Sequence, residues 1–364
     1  MPDPDGVPAV HRRRIGPTSA GPAPGAAVDC ITLSAGDLRV EVLTYGAHMV
    51  GVWAPDRDGR VDNLVASLRD MHGEPDLRRY EDPVANPHLG AVIGRYANRI
   101  GGSTFQLDGA RFDLLANDGP NQLHGGPTGF DRHVWSAWTS TDGVSAQVTL
   151  RHVSPDGDQG FPGTAEVEVT YRVTTDVELH IDMVGRADAP TVLNPTTHSY
   201  WNLGGTSDAA SCRVGGHELL VAADRVVVVD SALVPTGEQR HVDDTVFDLR
   251  RPTVLAGVLE HPELVETHGM DHCLVFDDSA ADLAHAAELF DPLSGRRMVL
   301  QTDQPGVQVY TSNHGAGDLQ MHSTICLETQ ALPDSPNQSG FPSAVLRPGE
   351  MYRHRHHLRF GVDV

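Results

Sequence analysis

Apolar and polar residues alternate along many short stretches of the chain, with the period of two that is typical of a β-strand. Residues 165–173 show it most cleanly, because Ala, Val, Val, Tyr and Val alternate there with Glu, Glu, Thr and Arg. Residues 146–150 and 179–183 repeat the alternation. Each stretch predicts an antiparallel strand with one buried apolar face and one exposed polar face.

Helical patterning is weak by comparison. Residues 254–259 predict one or two helical turns. Residues 279–289, rich in Ala and Leu, predict a short helix whose end is equally consistent with a strand. Many short strands and few short helices indicate an all-β protein, in this case a large antiparallel β-sandwich whose sheets stack face to face.

The 364 residues are expected to form a single domain over 29–364, because β-sandwiches often reach this length as one domain. Residues 1–28 are rich in Pro, Gly and Ala, and they include the basic run Arg12, Arg13 and Arg14. No apolar run follows these arginines. We therefore expect residues 1–28 to be a disordered tail that carries no chemistry.

Composition excludes several classes of partner. Asp and Glu number 49 against 27 Lys and Arg, so the formal net charge is -22, which opposes binding to nucleic acid or to an anionic membrane. The sequence has no run of about 18 apolar residues, so it predicts no membrane-spanning helix. The four cysteines lie far apart without a CxxC pair, which favours free thiols in the cytoplasm over a disulfide framework.

One stretch places a single carboxylate where a general base is well held. In residues 324–330 the apolar Ile325 and Leu327 alternate with polar neighbours, which predicts a strand. Glu328 then points to the face opposite these two, just before a loop rich in Pro and Ser at 331–337. A rigid strand fixes the direction of such a side chain, which suits catalysis. The alternative is an ordinary glutamate on a solvated strand face.

Polar residues also stand out in five stretches that do not follow the strand pattern. These stretches combine His, Asn, Arg, Asp or Gln with glycine or proline, as loops that surround a binding site often do. The candidate residues are Asn98 and Arg99 (in 90–100), His124 (in 121–126), His198 (in 194–205), Asp271 (in 269–272) and Gln308 (in 302–310).

Taken together and in this order, these stretches resemble the aldose 1-epimerase (galactose mutarotase) family. The resemblance spans roughly residues 90–337, and the order and spacing of its motifs carry it. It implies a large antiparallel β-sandwich with its active site in a cleft over one sheet. The motifs are GRYANRI (94–100), NQLHGG (121–126), NPTTHSYWNLGG (194–205), PTGE (235–238), GMDHC (269–273), QPGVQVY (304–310) and CLETQALPDSPN (326–337).

The resemblance implies that Glu328 is a general base and His198 a general acid. The implied reaction interconverts the α and β anomers of a free galactose-like or glucose-like aldose by opening and reclosing its ring. Opening needs a base for the proton of the C1 hydroxyl and an acid for the ring oxygen. It requires no cofactor and no metal, and we expect a monomer or homodimer. Residues implied to hold the sugar or to support proton transfer are Asn98, Arg99, His124, Asp271 and Gln308.

Three other functions remain open at this point. The same acid–base pair would serve a specialised epimerase or cyclase acting on a pathway-specific sugar or hemiacetal. A sugar-binding protein without catalysis would keep the same cleft. A glycoside hydrolase would use Asp271 and Glu328 as two carboxyl groups that flank a glycosidic bond.

Two aromatic features also allow alternative interpretations. Trp201 is either a core residue or an apolar wall for a sugar ring. His354 and His356 share a face of the predicted final strand, which suggests metal ligands, but the sequence offers no further ligands to complete a site. We therefore favour an ordinary strand over residues 352–360.

Overall fold

The computed structural model describes residues 6–207, 212–276, 283–315, 318 and 320–363. Strands dominate this part of the chain, and they alternate with short loops. The strands are β1 (Ala9–Pro17), β2 (Ala27–Ala35), β3 (Leu38–Leu43), β4 (Met49–Pro55), β5 (Val61–Asn63), β6 (Val92–Ile93), β7 (Arg99–Ile100), β8 (Thr104–Leu107), β9 (Ala110–Asp113), β10 (Gln122–Leu123), β11 (Ser136–Thr141), β12 (Ser145–Ser154), β13 (Ala165–Thr174), β14 (Glu178–Ala187), β15 (Thr191–Val192), β16 (Thr196–Thr197), β17 (Tyr200–Trp201), β18 (Glu218–Val221), β19 (Arg225–Val229), β20 (Pro235–His241), β21 (Thr253–Val254), β22 (Asp271–Val275), β23 (Ala284–Phe290), β24 (Arg296–Thr302), β25 (Gly306–Tyr310), β26 (Ile325–Gln330), β27 (Val345–Leu346) and β28 (Tyr352–Val362). The α-helices of this part are α1 (Leu77–Glu81) and α2 (Leu255–Leu259).

Most strands belong to three large sheets. Their strand orders are β1-β2-β3-β4-β5, β11-β12-β13-β14-β28-β24-β23-β18-β21 and β17-β26-β25-β22-β19-β20, and neighbouring strands pair antiparallel. One continuous apolar cluster draws buried side chains from all three sheets, for example Leu33, Val169 and Leu327. Burial of this cluster is the main stabilising term of such a fold. The predicted all-β class and stacked antiparallel sheets are confirmed.

The chain's alternation of polar and apolar residues corresponds to this packing. In β13 every second residue is buried from Ala165 onwards, and the residues between them are partly exposed. Within the described residues, no helix is both long and apolar enough to cross a membrane.

The prediction of a disordered tail over residues 1–28 is wrong for most of its length. Strand β1 pairs with β2 from Ala9 opposite Ser34 to Pro17 opposite Ala27, so it forms the edge of the five-stranded sheet. The basic run is held in place although Arg12 and Arg14 are exposed, because both form ion pairs with the buried Asp29. Residues 1–5 lie outside the described part of the chain.

The helix predictions have mixed outcomes. Helix α2 confirms the helical turns predicted over 254–259. The second predicted helix, over 279–289, is a strand where the structure describes it, because residues 284–290 form β23 between β18 and β24. Residues 279–282 lie outside the described part.

The two aromatic features are structural. Trp201 is 1% exposed and packs against Phe360 in the core, so it does not form a wall for a sugar. His354 and His356 lie on the buried face of β28, and the hydroxyl of Thr329 hydrogen-bonds to both rings at 2.7 and 2.8 Å. With the hydrogen bond from Nδ1 of His354 to the carbonyl oxygen of Pro195 at 3.1 Å, these contacts hold both rings within the packed structure.

Several histidines are buried in the neutral form, and His48 shows how. It is fully buried, and its Nδ1–H donates to the carbonyl oxygen of Tyr45 at 2.8 Å. Its Nε2 accepts from the side-chain amide of Asn86 at 3.2 Å. This arrangement leaves no place for a second proton. Burial lowers the pKa of His48 to about 4, and it lowers the pKa values of His217 and His354 to about 4 as well.

We expect the free energy of unfolding to fall as the pH is lowered from 6.5 towards 4. Unfolded histidines titrate near 6.5, so the unfolded chain binds protons in this window that the folded protein excludes. His48 alone costs about 3 kcal/mol over the window, from its pKa of about 4. Urea unfolding at about pH 7.5, 6 and 5 measures the effect.

A matched pair of variants tests the assignment to buried histidines. His48→Gln should flatten the dependence of stability on pH, whereas the same change at His285, which is exposed on β23, should leave it unaltered. Equal urea midpoints for the parent protein at all three pH values would contradict the prediction.

Candidate active site

Glu328 lies on the second strand of the six-stranded sheet. Its strand, β26, runs between β17 and β25, and all six of its residues are buried. Ile325 and Leu327 face the main apolar cluster, while Glu328 faces the opposite side and is 2% exposed. The strand prediction is therefore correct, but the alternative of a solvated surface glutamate is wrong, because other loops cover this face of the sheet.

Burial gives Glu328 unusual electrostatics. Loss of water, with a further contribution from the charge of Asp271, raises the pKa of Glu328 well above its ordinary value. Among the described residues, no group hydrogen-bonds to its Oε2 atom, although that atom is buried. The same holds for Oε1 of Gln308, which lies directly opposite Glu328 on β25. Buried polar atoms normally have partners, so these two oxygens mark places for groups of a ligand.

His198 faces Glu328 from the segment between β16 and β17. Strand β17 pairs with β26, with Tyr200 opposite Cys326, and this pairing brings the two segments together. As a result, Nε2 of His198 lies 3.7 Å from Oε1 of Glu328. The two side chains are 130 positions apart in the sequence, and both point into the same buried region.

The ring of His198 is held by its neighbours. It stacks on Tyr200, with ring centroids 4.9 Å apart and an interplanar angle of 17°. Its Nδ1 lies 3.5 Å from the sulfur of Cys326, whose raised pKa keeps it in the thiol form because it is buried. Burial, with a smaller contribution from the nearby His88, lowers the pKa of His198 to about 3.

The pKa shifts of Glu328 and His198 together decide where this pair of side chains holds its proton. Burial favours the neutral forms of both groups, which are the protonated carboxyl of Glu328 and the neutral imidazole of His198. A carboxylate with an imidazolium has the same total number of protons. The pair therefore holds one proton that can reside on either side chain, and its titration belongs to the pair rather than to one residue.

His124 presents a neutral hydrogen-bond donor. Its Nδ1 accepts the backbone N–H of Asn98 at 3.2 Å, and burial, with smaller contributions from His88, His198 and Arg99, lowers its pKa well below the usual value. The ring proton therefore resides on Nε2. The glycine that follows allows this approach, because a Cβ on Gly125 would lie 2.0 Å from the carbonyl oxygen of Gly94, and its φ is 84°.

Four more candidate residues line one small cavity beside this pair: Asn98, Arg99, Asp271 and Gln308. Nε2 of Gln308 donates to Asp271 at 2.7 Å, and Nε of Arg99 donates to Asp118 at 2.8 Å. Burial raises the pKa of Asp271, while the Arg99 charge and the Gln308 amide oppose this shift. All seven residues singled out from the sequence thus lie in one connected region.

The structure adds two residues that sequence reasoning missed. His88 lies 4.9 Å from His124 and 6.0 Å from His198, measured between ring centroids, and its Nδ1 is hydrogen-bonded to Asp131 at 3.0 Å. Neither residue belongs to a strand with a regular pattern, and 20 histidines made a single one uninformative. The sequence carried one signal for this pair: Asp131 lies close to the NQLHGG motif, which could have drawn attention to Asp131.

Comparison with known proteins identifies the family. The family model described as aldose 1-epimerase matches residues 29–359. Galactose mutarotase from Homo sapiens is 37% identical over 349 residues, which cover 94% of this chain and 96% of that protein. Aldose 1-epimerase from Escherichia coli (strain K12) is 33% identical over 323 residues, covering 86% of this chain and 89% of that protein.

A solved structure agrees with these matches. The crystal structure of galactose 1-epimerase from Lactobacillus acidophilus NCFM superposes on this chain with a TM-score of 0.83 at 25% sequence identity. The superposition covers 98% of this chain and 100% of the other. The fold, the extent of the sequence matches and the family model all agree. The chain therefore belongs to the aldose 1-epimerase family, the isomerases that interconvert the anomers of aldoses.

Proposed function

We propose that Glu328 and His198 interconvert the α and β anomers of a free aldose, with Glu328 as general base and His198 as general acid. The observation that carries this assignment is the distance of 3.7 Å between Nε2 of His198 and Oε1 of Glu328. The C1 hydroxyl and the ring oxygen of an aldose are bonded to the same carbon. A base and an acid that act on both at once must therefore lie close together.

Ring opening begins with the proton on His198. Glu328 takes the proton of the C1 hydroxyl, His198 gives its proton to the ring oxygen, and the bond between C1 and the ring oxygen breaks to leave an aldehyde. After rotation about the C1–C2 bond, the freed hydroxyl attacks the other face of the carbonyl. It returns its proton to His198, while Glu328 returns the other proton to the carbonyl oxygen. The pair ends with the single proton that it held at the start.

The neighbouring side chains hold the sugar during these steps. The Nε2–H of His124 and the guanidinium of Arg99 are donors for the oxygen that becomes the aldehyde carbonyl, where negative charge develops. Asp271 and Gln308, with the support of Asn98, bind hydroxyl groups on the far side of the ring. The hydrogen bond from Gln308 to Asp271 at 2.7 Å fixes the orientation of these two side chains.

The arrangement of carboxyl groups speaks against a glycoside hydrolase. Asp271 lies opposite Tyr310, which lies opposite Cys326, and Cys326 shares a strand face with Glu328. Asp271 and Glu328 therefore project from the same face of one sheet, whereas a hydrolase needs its two carboxyl groups on either side of the scissile bond.

Galactose and glucose are the proposed substrates. Relatives of this chain are named galactose mutarotase and galactose 1-epimerase, which supports a hexose of this kind. We also propose a monomer or homodimer in which residues 29–364 form a single domain together with the preceding strand β1, which the shared apolar cluster of the three sheets and the pairing of β1 with β2 support. A cytoplasmic location is proposed because Cys30, Cys273 and Cys326 are buried free thiols.

Exchange NMR on the two anomers of galactose and of glucose tests the activity directly. We expect the rate of exchange between anomers to rise in proportion to the protein concentration, above the rate in buffer. Binding of either sugar without faster exchange would favour a sugar-binding protein. If neither sugar exchanges faster, a panel of other aldoses tests the specialised epimerase, and no exchange of any of them would contradict the proposal.

A further inference from the structure

His88 belongs to the loop between α1 and β6 and is fixed by a buried carboxylate. Its Nδ1 lies 3.0 Å from Oδ2 of Asp131, whose side chain is 2% exposed, against 24% for that of His88. An ionised carboxylate only accepts hydrogen bonds, so Nδ1 of His88 is a donor. Asp131 is fixed in turn by Nε of Arg132 at 2.9 Å. The charges of His88 and Arg132 lower the pKa of Asp131 to about 2, although burial opposes this shift.

The ring of His88 contacts both catalytic-site histidines. The centroids of His88, His124 and His198 form a triangle with sides of 4.9, 5.2 and 6.0 Å. The ring of His88 lies at 27° to that of His198 and at 62° to that of His124. We call these three residues the histidine triangle. Packing of this kind restricts the rotation of each ring.

Backbone bonds tie the loop of His88 to the segment of His198. Gly90 donates its N–H to the carbonyl oxygen of His198 at 2.9 Å, and His198 donates its N–H to the carbonyl oxygen of Ala91 at 2.9 Å. The hydroxyl of Tyr200, whose ring stacks on His198, donates to the carbonyl oxygen of Pro87 at 2.8 Å. The rings of His88 and Tyr200 both lie roughly parallel to that of His198. They are linked to each other, because the hydroxyl of Tyr200 donates to the backbone next to His88.

We propose that His88, held by Asp131, is a positioning residue that fixes the orientation of the imidazole of His198. The inference rests on the proposed function, because it assumes that His198 is the acid. Proton transfer to the ring oxygen depends on the direction of Nε2, and a displacement of about 1 Å in such a group can cost about 100-fold in rate. The backbone of His198 is fixed by its hydrogen bonds to Gly90 and Ala91, so the remaining freedom of this residue is rotation of its ring. His88 and Tyr200 restrict that rotation.

Three substitutions at His88 separate the two parts of this role. His88→Ala removes both the ring and the hydrogen bond to Asp131. His88→Phe retains a ring that can pack on His198 but cannot bond to Asp131. His88→Asn retains a donor near the position of Nδ1 and loses the ring, and Asn also tolerates the positive φ of 62° at this residue. His72→Ala is the control, because His72 is an exposed histidine of another loop.

We expect His88→Ala to lower kcat about 10-fold or more while KM changes less than about threefold, because orientation of the acid affects the transition state more than binding. His88→Phe should recover part of the loss, and His88→Asn should recover less. His72→Ala should behave as the parent protein. A wild-type kcat for His88→Ala, or a loss that appears in KM alone, would overturn the proposal.

A second measurement does not depend on activity. The NMR resonances of the His198 ring, assigned through their absence in His198→Asn, should move and broaden in His88→Ala, because the ring then samples other orientations. They should stay closer to their original positions in His88→Phe. If the parent protein shows no anomer exchange, the proposed function fails, and these resonances still decide whether His88 positions His198. Unchanged resonances in His88→Ala would contradict the proposal.

Discussion

Glu328→Gln is expected to lower kcat by at least about two orders of magnitude, because glutamine cannot take the proton of the C1 hydroxyl. Glutamine has nearly the size and shape of glutamate, so the sugar should still bind and KM should change little. Exchange NMR or polarimetry on fresh α-galactose measures both constants. Glu238→Gln is the matched control, because Glu238 is exposed on β20.

The same substitution should not destabilise the fold. The pKa of Glu328 is raised in the folded protein, so above its unfolded pKa the ionised form is disfavoured by folding. Glutamine removes this cost at neutral pH, and we expect a Tm equal to or above that of the parent. A low kcat together with an unchanged or higher Tm would separate loss of the base from loss of structure. A wild-type kcat in Glu328→Gln would remove Glu328 from the mechanism.

His198→Asn is expected to have a similar effect on kcat, a loss of at least about two orders of magnitude. Asparagine keeps a polar group but cannot deliver a proton to the ring oxygen. The corresponding change at His285, which is exposed, is the control and should leave kcat unchanged. Exchange NMR of the two anomers under saturating sugar measures kcat for both variants.

The double variant gives the sharper test of the pair. Glu328 and His198 pass protons to the same hemiacetal in one step, so removing the second group after the first should cost little more. We expect the double variant to be about as slow as the slower single variant. Losses that multiply would show that the two residues act independently, and that result would contradict a coupled acid–base pair.

The local pattern of the chain was a good guide to its strands. The alternation in residues 165–173 predicted β13 and its buried face, because packing against the core repeats with the period of the strand. The pattern failed where long-range pairs decide the structure. Residues 1–28 resembled a disordered tail, but Arg12 and Arg14 ion-pair with Asp29, which lies beyond a turn on the paired strand β2.

The active site depended on a different kind of information. Spacing alone could not place Glu328 beside His198, since their proximity arises from the pairing of β17 with β26 across 130 residues. The family resemblance supplied that link. It did not point to His88, because the position of that ring is set by Asp131 and by the backbone of His198, and neither contact leaves a local pattern in the sequence.

The placement of β1 has a practical consequence for anyone who shortens this chain. Residues 9–17 cover the outer row of amide and carbonyl groups on β2. Trimming them as dispensable would bare that row along a strand of nine residues, and an open row of this kind invites pairing with another molecule. A truncated preparation would then be prone to self-association for a reason unrelated to its catalytic cleft.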